Sequence, residues 1–210
     1  MEYFSSLPYL TTNDGKGNSI VLRNILIRTG LIPQLATNPL LMYQYEIRDG
    51  DTPEIVAHKY YGSSFRYWIT MYGNPNIMDP QSDWPLSSQQ FVLYLNDKYT
   101  AVANGVQNVL SYTQSTIHHY EKIITTVDSA TQTTAIKVID VDQTTYNSIV
   151  SSTNTSQFPN GSSITYTIST NVVSIYDYEN NTNEAKRNIN LINSSFATQV
   201  ETQYQTLVSA

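Results

Sequence analysis

The sequence predicts an α+β fold: a central strand–helix–helix unit with an extended N-terminal arm, a β-rich insertion and a C-terminal helix. Three observations support this. After Tyr43 the sequence has helix-capping residues and apolar residues at helical spacing. After Tyr99 it becomes rich in Thr, Ser and β-branched residues, which favour strands. Near the C-terminus apolar residues again recur at helical spacing. The predicted parts are an arm (1–42), a central domain (43–99), a β-rich region (100–178) and a closing strand with its helix (179–210).

The N-terminal arm does not have the pattern of an independent domain. The segment Thr11–Ser19 has the composition of a loop, and the apolar stretch Ile20–Leu31 is stopped by Gly30 and Pro33. Leu and Ile are too frequent for a disordered tail, yet no long amphipathic period is present. We expect an arm that packs against its own domain or against a neighbour.

The central domain begins with a predicted strand, Tyr43–Ile47, and a turn. Thr52 then has the position of a helix N-cap, and Pro53 occupies the first helical position, where a missing N–H costs nothing. The helix is expected to run to Tyr61 and to end at Gly62, which suits the left-handed conformation.

A second helix is predicted from an N-cap at Ser63 or Ser64 to a stop at Gly73. A third helix with a serine cap is expected within Leu86–Tyr99. The apolar residues of the second helix recur at helical spacing and should form one face: Phe65, Trp68, Ile69 and Tyr72.

The β-rich region is predicted to hold short strands and one capped helix. Strands are expected at Ile117–Val127 and Ala135–Val141, and Asp142 should cap a helix that ends by Val150. Thr153–Gln157 is predicted as a loop and is followed by a turn. The last two segments of the region are predicted to pair as a hairpin: Ser163–Ser169 and Val172–Tyr178.

The C-terminal part is predicted as a strand and a helix. Ala185–Ile192 alternates enough for a strand, and Asn193 or Ser194 should cap the helix. The helix is too short to be stable alone, so it is expected to dock. Its apolar face comprises Phe196, Val200, Tyr204, Leu207 and Val208.

Composition argues against several classes of function. The net charge is −6 and no long basic run is present, so no nucleic-acid partner is expected. The chain has no Cys, hence no disulfide and no thiolate metal site. Neither a signal peptide nor a stretch of the ~20 apolar residues needed for a membrane span is found. Charged residues make up only 13% of the chain, which suits burial in a protein assembly as well as an ordinary neutral surface.

No arrangement of residues predicts catalysis, a metal site or a cofactor. His118 and His119 are adjacent in a predicted strand, so their side chains should point to opposite faces and should not chelate one metal ion. Asp49, Asp51 and Asp79 lie in predicted turns, where turn and capping roles explain them. The sequence has neither a GxSxG motif nor a Cys nucleophile.

Aromatic residues are the remaining candidates for binding. Trp68 lies on a helical apolar stripe and is predicted in the core, whereas Trp84 could either plug the helix pair or anchor a partner. The 17 tyrosines occur partly in adjacent pairs that cannot all face one core, which favours interfaces. The residues predicted to bind partners are Trp84, Pro85, Tyr60, Tyr61, Tyr204 and Leu207.

Several segments resemble known families. The segment DGDTPEIVAHKYYG, from Asp49 to Gly62, resembles the first half of a LysM module, but the closing strand motif of LysM is absent. Together with SSFRYW, NPNIMDP, DWPL and the C-terminal IYDYENNTNEAKRNINLINSSFATQVETQYQTLV, it resembles a narrower family. This is the LysM-like baseplate wedge subunit, gp fifty-three, of T-even-like contractile-tailed phages. Residues 125–172 depart from it.

The resemblance implies a non-enzymatic structural protein of the virion, located in the tail baseplate and assembled in the host cytoplasm. In that family the subunit clamps wedge components together and joins neighbouring wedges into a six-fold ring. The implied partners are the other wedge proteins and copies of the subunit in adjacent wedges. Neither nucleic acid nor a membrane is implied.

The likeness to LysM leaves an alternative, a module that binds peptidoglycan or chitin. The glycan groove of such a module lies between the loop after the first strand and the loop after the second helix. In this sequence the corresponding residues are Gly50, Asp51 and Thr52 in the first loop, and Asn74 and Asn76 in the second.

Overall fold

The structure of the chain is a computed structural model. Both helices and strands are present, which confirms the predicted α+β class. Residues 31–37 lie outside the described part, and with them the predicted end of the apolar stretch at Leu31 and Pro33. The structure describes residues 3–27, 29–30, 38, 40–103 and 108–209. The chain divides into two compact units, taken separately below: unit 1 comprises residues 1–89 and 183–210, and unit 2 comprises residues 90–182.

Unit 1 contains two small antiparallel sheets. Strands β1 (Tyr9–Asn13) and β2 (Ser19–Arg23) form a hairpin. Strand β3 (Met42–Glu46) pairs with β8 (Asn188–Ile192), so the strand predicted at the start of the central domain has its partner near the C-terminus. Strand β8 begins later than predicted because the chain first turns at Ala185, where a helix has just ended.

The first helix of unit 1 matches its prediction. Helix α1 (Pro53–Tyr61) follows Thr52, whose side chain accepts a hydrogen bond from the N–H of Ile55 at 3.4 Å. Gly62 ends the helix in the left-handed conformation, with φ of 72°, and its N–H donates to the carbonyl of His58. Local capping signals therefore set both ends of this helix.

The second helix differs from its prediction at the start. A 3-10 turn (Ser64–Arg66) precedes helix α2 (Tyr67–Tyr72), and the Ser63 side chain makes no capping hydrogen bond. Trp68 is buried as predicted, whereas Phe65 is exposed. The reason is geometric, since a 3-10 turn has three residues per turn and moves Phe65 off the stripe that a continuous α-helix would form.

Gly73 ends α2 through close packing rather than through a left-handed conformation. Its φ is −73°. A Cβ atom at this position would lie 2.6 Å from the backbone oxygen of Asn190. The missing side chain therefore lets the end of α2 approach strand β8.

The C-terminal helix is formed as predicted, after a 3-10 turn. The side chain of Asn193 accepts a hydrogen bond from the N–H of Ser195 at 3.1 Å and caps the turn Ser194–Phe196. Helix α7 (Ala197–Ser209) follows, and Tyr204 is buried on it.

Two hydrophobic clusters form the core of unit 1. Leu7 belongs to the first cluster, so the beginning of the predicted arm packs against its own domain. The first cluster comprises Leu7, Ala57, Tyr61, Trp68, Ile69, Ile192, Ala197, Tyr204 and Val208. The second cluster comprises Ile47, Val56, Trp84, Ile189 and Leu191.

Unit 2 is built around an antiparallel sheet whose strands are β4 (Ile117–Asp128), β5 (Thr133–Val141), β6 (Ser152–Gln157) and β7 (Ser163–Ser174). The strand order across the sheet is β5-β4-β7-β6. Helices α4 (Val109–Ser115) and α5 (Gln143–Ser148) lie within the unit, and the Asp142 side chain caps α5 as predicted. Helices α3 (Ser88–Ala103) and α6 (Ile175–Glu184) contain the boundaries between the two units.

The prediction of a loop at Thr153–Gln157 is wrong, because this segment forms edge strand β6. Strand β6 has no apolar residue, so its sequence lacks the alternation that marks a half-buried strand. Its threonines pair instead with threonines of β7, and the two hydroxyl oxygens lie 3.3 Å apart for Thr153 and Thr167.

The predicted hairpin of Ser163–Ser169 with Val172–Tyr178 is also wrong. Strand β7 continues without a turn to Ser174, and helix α6 begins at the next residue. The N–H of Asp177 donates to the Ser174 hydroxyl at 3.1 Å, and that hydroxyl donates to the Asp177 carboxylate at 2.7 Å. This reciprocal cap starts the helix where alternation of apolar residues favoured a strand.

The start of β4 contains a β-bulge. The register between β4 and β7 shifts between Ile117 and His119, which leaves His118 as the extra residue. The Nδ1 atoms of His118 and His119 consequently lie 2.8 Å apart. The prediction that these side chains point to opposite faces is therefore wrong, because strand alternation does not hold across a bulge.

Candidate functional site

The residues predicted to bind partners divide by their burial. Tyr60 is half-buried and stacks on Tyr43, with the ring centroids 5.5 Å apart, and Leu207 is exposed. The other four residues are buried in unit 1: Tyr61, Trp84, Pro85 and Tyr204. A role of these four in partner binding remains a prediction, whereas their packing inside the unit is seen directly.

Trp84 lies in the core, which decides between the two positions that the sequence left open. Its side chain is 6% exposed, and its Nε1–H donates to the backbone carbonyl of Asp51 at 2.7 Å. The Asp51 carboxylate in turn accepts hydrogen bonds from Lys59 at 2.6 Å and from Tyr45 at 3.0 Å. Burial opposes ionisation of Asp51, but these bonds outweigh it and hold its pKa below the ordinary value.

Each loop of the alternative glycan groove contains one buried polar side chain that is bonded internally, Asp51 in the first and Asn74 in the second. The Asn74 amide nitrogen donates to the carbonyl of Asn190 at 2.7 Å, and its oxygen accepts from the N–H of the same residue at 2.8 Å. Asp51 is committed to Lys59 and Tyr45, as described above. Gly50, Thr52 and Asn76 are exposed. Buried groups that already have partners are poorly placed to bind a sugar hydroxyl.

An exposed apolar hairpin is the most unusual surface of unit 1. We use the name apolar hairpin for residues 9–26, which contain β1, β2 and the two residues after Asn24. Val21 is 62% exposed, Leu26 is 84% exposed, and every residue of β1 is exposed. The exposed large apolar residues are Tyr9, Leu10, Ile20, Val21, Leu22, Ile25 and Leu26. A patch of this kind marks an interaction surface more often than a free surface.

Arg23 fixes the base of the apolar hairpin. Its guanidinium donates to the carbonyl of Ser5 at 2.6 Å and to that of Leu7 at 3.0 Å. It also donates to the hydroxyl of Tyr9 at 2.8 Å and lies over the ring of that residue. Because Leu7 is in the core, these bonds connect the hairpin to the folded body of unit 1.

The tip of the apolar hairpin is an ordered turn, and the predicted loop Thr11–Ser19 is too long, since β1 extends to Asn13 and β2 begins at Ser19. The Asp14 carboxylate accepts hydrogen bonds from the N–H of Lys16 and from both the N–H and the side chain of Asn18. These bonds hold the pKa of Asp14 below its ordinary value, and the bond from the Asn18 side chain has the largest effect. Gly15 and Gly17 have positive φ angles of 77° and 87°. A glycine-rich turn between two β-prone segments was the available signal for a hairpin.

Leu207 lies on an apolar groove beside α7. The groove has a volume of about 500 Å³, and its apolar lining includes Leu41, Tyr72, Val200 and Leu207. Leu207 is the one predicted partner-binding residue that is clearly exposed, and the groove lies next to it. The groove and the apolar hairpin both belong to unit 1.

Unit 2 has a charged cluster that joins two of its helices. The Glu179 carboxylate on α6 accepts hydrogen bonds from Lys98 at 2.7 Å, from Tyr94 at 2.9 Å and from Tyr99 at 2.5 Å. Burial raises the pKa of Glu179, but these bonds outweigh it, and the pKa stays below the ordinary value. Burial and the same carboxylate raise the pKa of Tyr99 to about 12. The cluster satisfies its own charges, as a structural ion pair does.

These features are typical of a subunit that assembles with other proteins: an exposed apolar element that is firmly anchored, and polar loops that are satisfied internally. No helix in the described part of the chain is long and apolar enough to cross a membrane. The family model of base plate wedge protein 53 matches residues 2–208, and the chain therefore belongs to this family. It is a structural protein of the phage tail baseplate, as the resemblance in the sequence indicated. The search of the curated proteins finds no match.

Proposed function

We propose that this subunit clamps the components of one baseplate wedge together and joins neighbouring wedges in a six-fold ring. Its partners are the other wedge proteins and copies of itself in adjacent wedges, and assembly takes place in the host cytoplasm. The observation that carries the proposal is the apolar hairpin, which is exposed along its length and held at its base by Arg23.

The apolar hairpin can contribute binding energy without any unfolding of the subunit, because its apolar side chains are already exposed. Complete burial of one Val, Leu or Ile side chain contributes about 1.5–3 kcal/mol, so the partly exposed residues of the hairpin together supply on the order of 5–10 kcal/mol. The loss of translational and rotational freedom on association costs about 4–15 kcal/mol. One hairpin therefore makes a weak contact by itself.

A clamp needs several weak contacts that act together. In the proposed arrangement unit 1 is the rigid body, and the exposed surfaces of the arm (1–42) and of the C-terminal helix α7 reach neighbouring subunits. Leu207 and Tyr60 are the partner-binding candidates that retain exposed surface. Once one contact is made, tethering raises the effective concentration for the next, so weak contacts can still close a ring.

The test replaces one apolar residue of the hairpin with a charge. Val21→Asp should lower the affinity for purified wedge proteins at least tenfold, which corresponds to about 1.4 kcal/mol. The yield of assembled rings should fall with it. Val150→Asp is the matched control, since Val150 lies outside the hairpin and is 81% exposed. Circular dichroism of each variant checks the fold, and Leu26→Asp is a second hairpin variant.

Two results would contradict the proposal. Normal ring yield with both hairpin variants would remove the hairpin from the clamp. Retention of the protein on insoluble cell wall, with no affinity for wedge proteins, would favour the LysM-type glycan-binding alternative. The internal bonds of Asp51 and Asn74 are the reason that wedge assembly is preferred.

A further inference from the structure

Three side chains that can bind a metal ion meet at one end of the sheet of unit 2. His119 and Glu121 are two residues apart on β4, beyond the bulge, and Asp140 lies directly opposite Glu121 on β5. Nε2 of His119 is 3.4 Å from Oε1 of Glu121 and 3.7 Å from Oδ1 of Asp140. One ligand atom from each residue lies within 4.8 Å of the other two.

These distances suit a small divalent ion. Zinc binds imidazole nitrogen and carboxylate oxygen at about 2.0–2.2 Å, so two ligands of a tetrahedral ion lie roughly 3.4 Å apart. The three atoms could therefore enclose such an ion with only small side-chain movements. The imidazole favours Zn²⁺ and its neighbours in the first transition row over Mg²⁺ and Ca²⁺, which prefer oxygen ligands.

The surroundings hold two of the three ligands in place. Nδ1 of His119 lies 2.8 Å from Nδ1 of His118, whose ring stacks on Tyr178 with the centroids 3.9 Å apart. The Asn171 amide donates to Oε2 of Glu121 at 3.0 Å, which leaves Oε1 facing His119. When His119 donates its Nδ1–H to His118, the lone pair on Nε2 faces two carboxylates, an arrangement that a cation stabilises.

We propose that His119, Glu121 and Asp140 bind one divalent transition-metal ion, with Zn²⁺ as the first probe. The ion links β4 to its neighbour β5, and water completes the coordination on the exposed side of Asp140. The sequence predicts that His118 and His119 do not chelate one ion together, and this site needs only His119, with two carboxylates as the other ligands. This proposal does not depend on the role of the subunit in wedge assembly.

The experiment titrates ZnCl₂ into the full chain, without a histidine tag and after treatment with a chelator, in a calorimeter. We expect one equivalent of Zn²⁺ to bind and the same amounts of MgCl₂ and CaCl₂ not to bind. His119→Ala and Asp140→Asn should each lower the affinity at least 100-fold. His118→Ala should lower it about 10–100-fold, because it removes only the group that orients a ligand.

His58→Ala is the matched control, because His58 is exposed on α1 in unit 1. It should leave the affinity for Zn²⁺ unchanged. Absorption bands of bound Co²⁺ in the visible range, lost in Glu121→Gln, give a second readout that does not depend on heat signals. Far-UV circular dichroism confirms that each variant is folded. Failure of the parent chain to bind Zn²⁺, or equal affinity in His119→Ala, would overturn the proposal.

Discussion

Unit 1 and the sheet of unit 2 bury their strands to very different degrees. Strand β8 of unit 1 places Ile189, Leu191 and Ile192 in the two hydrophobic clusters, and both clusters lie in unit 1. In the four strands of unit 2, all of them within the described residues, Val173 is the one buried side chain. Apolar packing therefore holds unit 1 together. The sheet of unit 2 relies on its backbone ladder and on polar cross-strand pairs.

The largest effect on the free energy of unfolding is expected from a comparison of alanine substitutions at two isoleucines. Ile69 is 0% exposed in the first cluster, and Ile136 on β5 is 66% exposed. Ile69→Ala should lower the free energy of unfolding by about 2–5 kcal/mol, because it removes buried surface and leaves a cavity. Ile136→Ala should change it by less than about 0.5 kcal/mol. Denaturant unfolding followed by circular dichroism measures both.

The control for this comparison is the oligomeric state of each variant. A cost for Ile136→Ala as large as that for Ile69→Ala would contradict the difference between the units. It would mean that the sheet of unit 2 is covered by another molecule in solution, and sedimentation at several concentrations would then reveal self-association.

The next effect concerns the charged cluster of unit 2. Glu179→Gln should destabilise the protein by about 2 kcal/mol, within the range of roughly 1.5–3 kcal/mol found for hydrogen bonds to charged groups. Lys98 remains about half exposed and keeps water as a partner, which prevents a larger loss. A double-mutant cycle with Lys98→Gln isolates the interaction between the two side chains.

The same cluster predicts a dependence on pH. The pKa of Glu179 is lower in the folded protein than its ordinary value of 4.5. Its contribution is therefore complete above pH 4.5 and is lost as the pH falls through the lower folded pKa. The midpoints of urea unfolding of the parent chain and of Glu179→Gln, measured from pH 7 to pH 3, should become equal at the lowest pH. A constant difference across that range would assign the effect of the variant to packing.

The parts of unit 1 that the sequence predicted well are those set by nearby residues. Both ends of α1 are determined by residues within an eleven-residue segment, Thr52 and Pro53 at the start and Gly62 at the end, and the helix has the predicted bounds. The pairing of β3 with β8 was not predicted, since it joins Met42 to Ile192 and no local signal encodes that partner. Leu7 could be placed in the core only after that long-range packing was known.

The sites were harder to predict than the elements. Trp84 and Tyr204 are buried in unit 1, a degree of burial that local sequence patterns do not decide, and their role in partner binding stays a prediction. The sequence of the apolar hairpin predicts a loop and a short apolar stretch, because its strands are exposed on both sides and lack alternation. His119 and Glu121 share a face by the ordinary alternation of a strand, but no local signal gives the register that places Asp140 opposite Glu121.

The smallest effect on the free energy of unfolding is expected at the two helix caps that the sequence predicted correctly. Thr52→Ala should lower the free energy of unfolding by about 1 kcal/mol, because α1 packs into the core and its start is coupled to the whole of unit 1. Asp142 caps the short helix α5, whose residues include none that are buried. Asp142→Ala should therefore open α5 locally without moving the unfolding midpoint.

Amide hydrogen exchange distinguishes these two outcomes. In Asp142→Ala, exchange should become faster in Gln143–Ser148 while the amides of α1 keep their protection. In Thr52→Ala, the most protected amides of unit 1 should exchange faster together, because a loss of global stability lowers all of them equally. If Asp142→Ala speeded exchange across the whole sheet of unit 2, α5 would belong to the cooperative structure of that unit. The polar sheet would then depend on its helices for stability more than its exposed strands indicate.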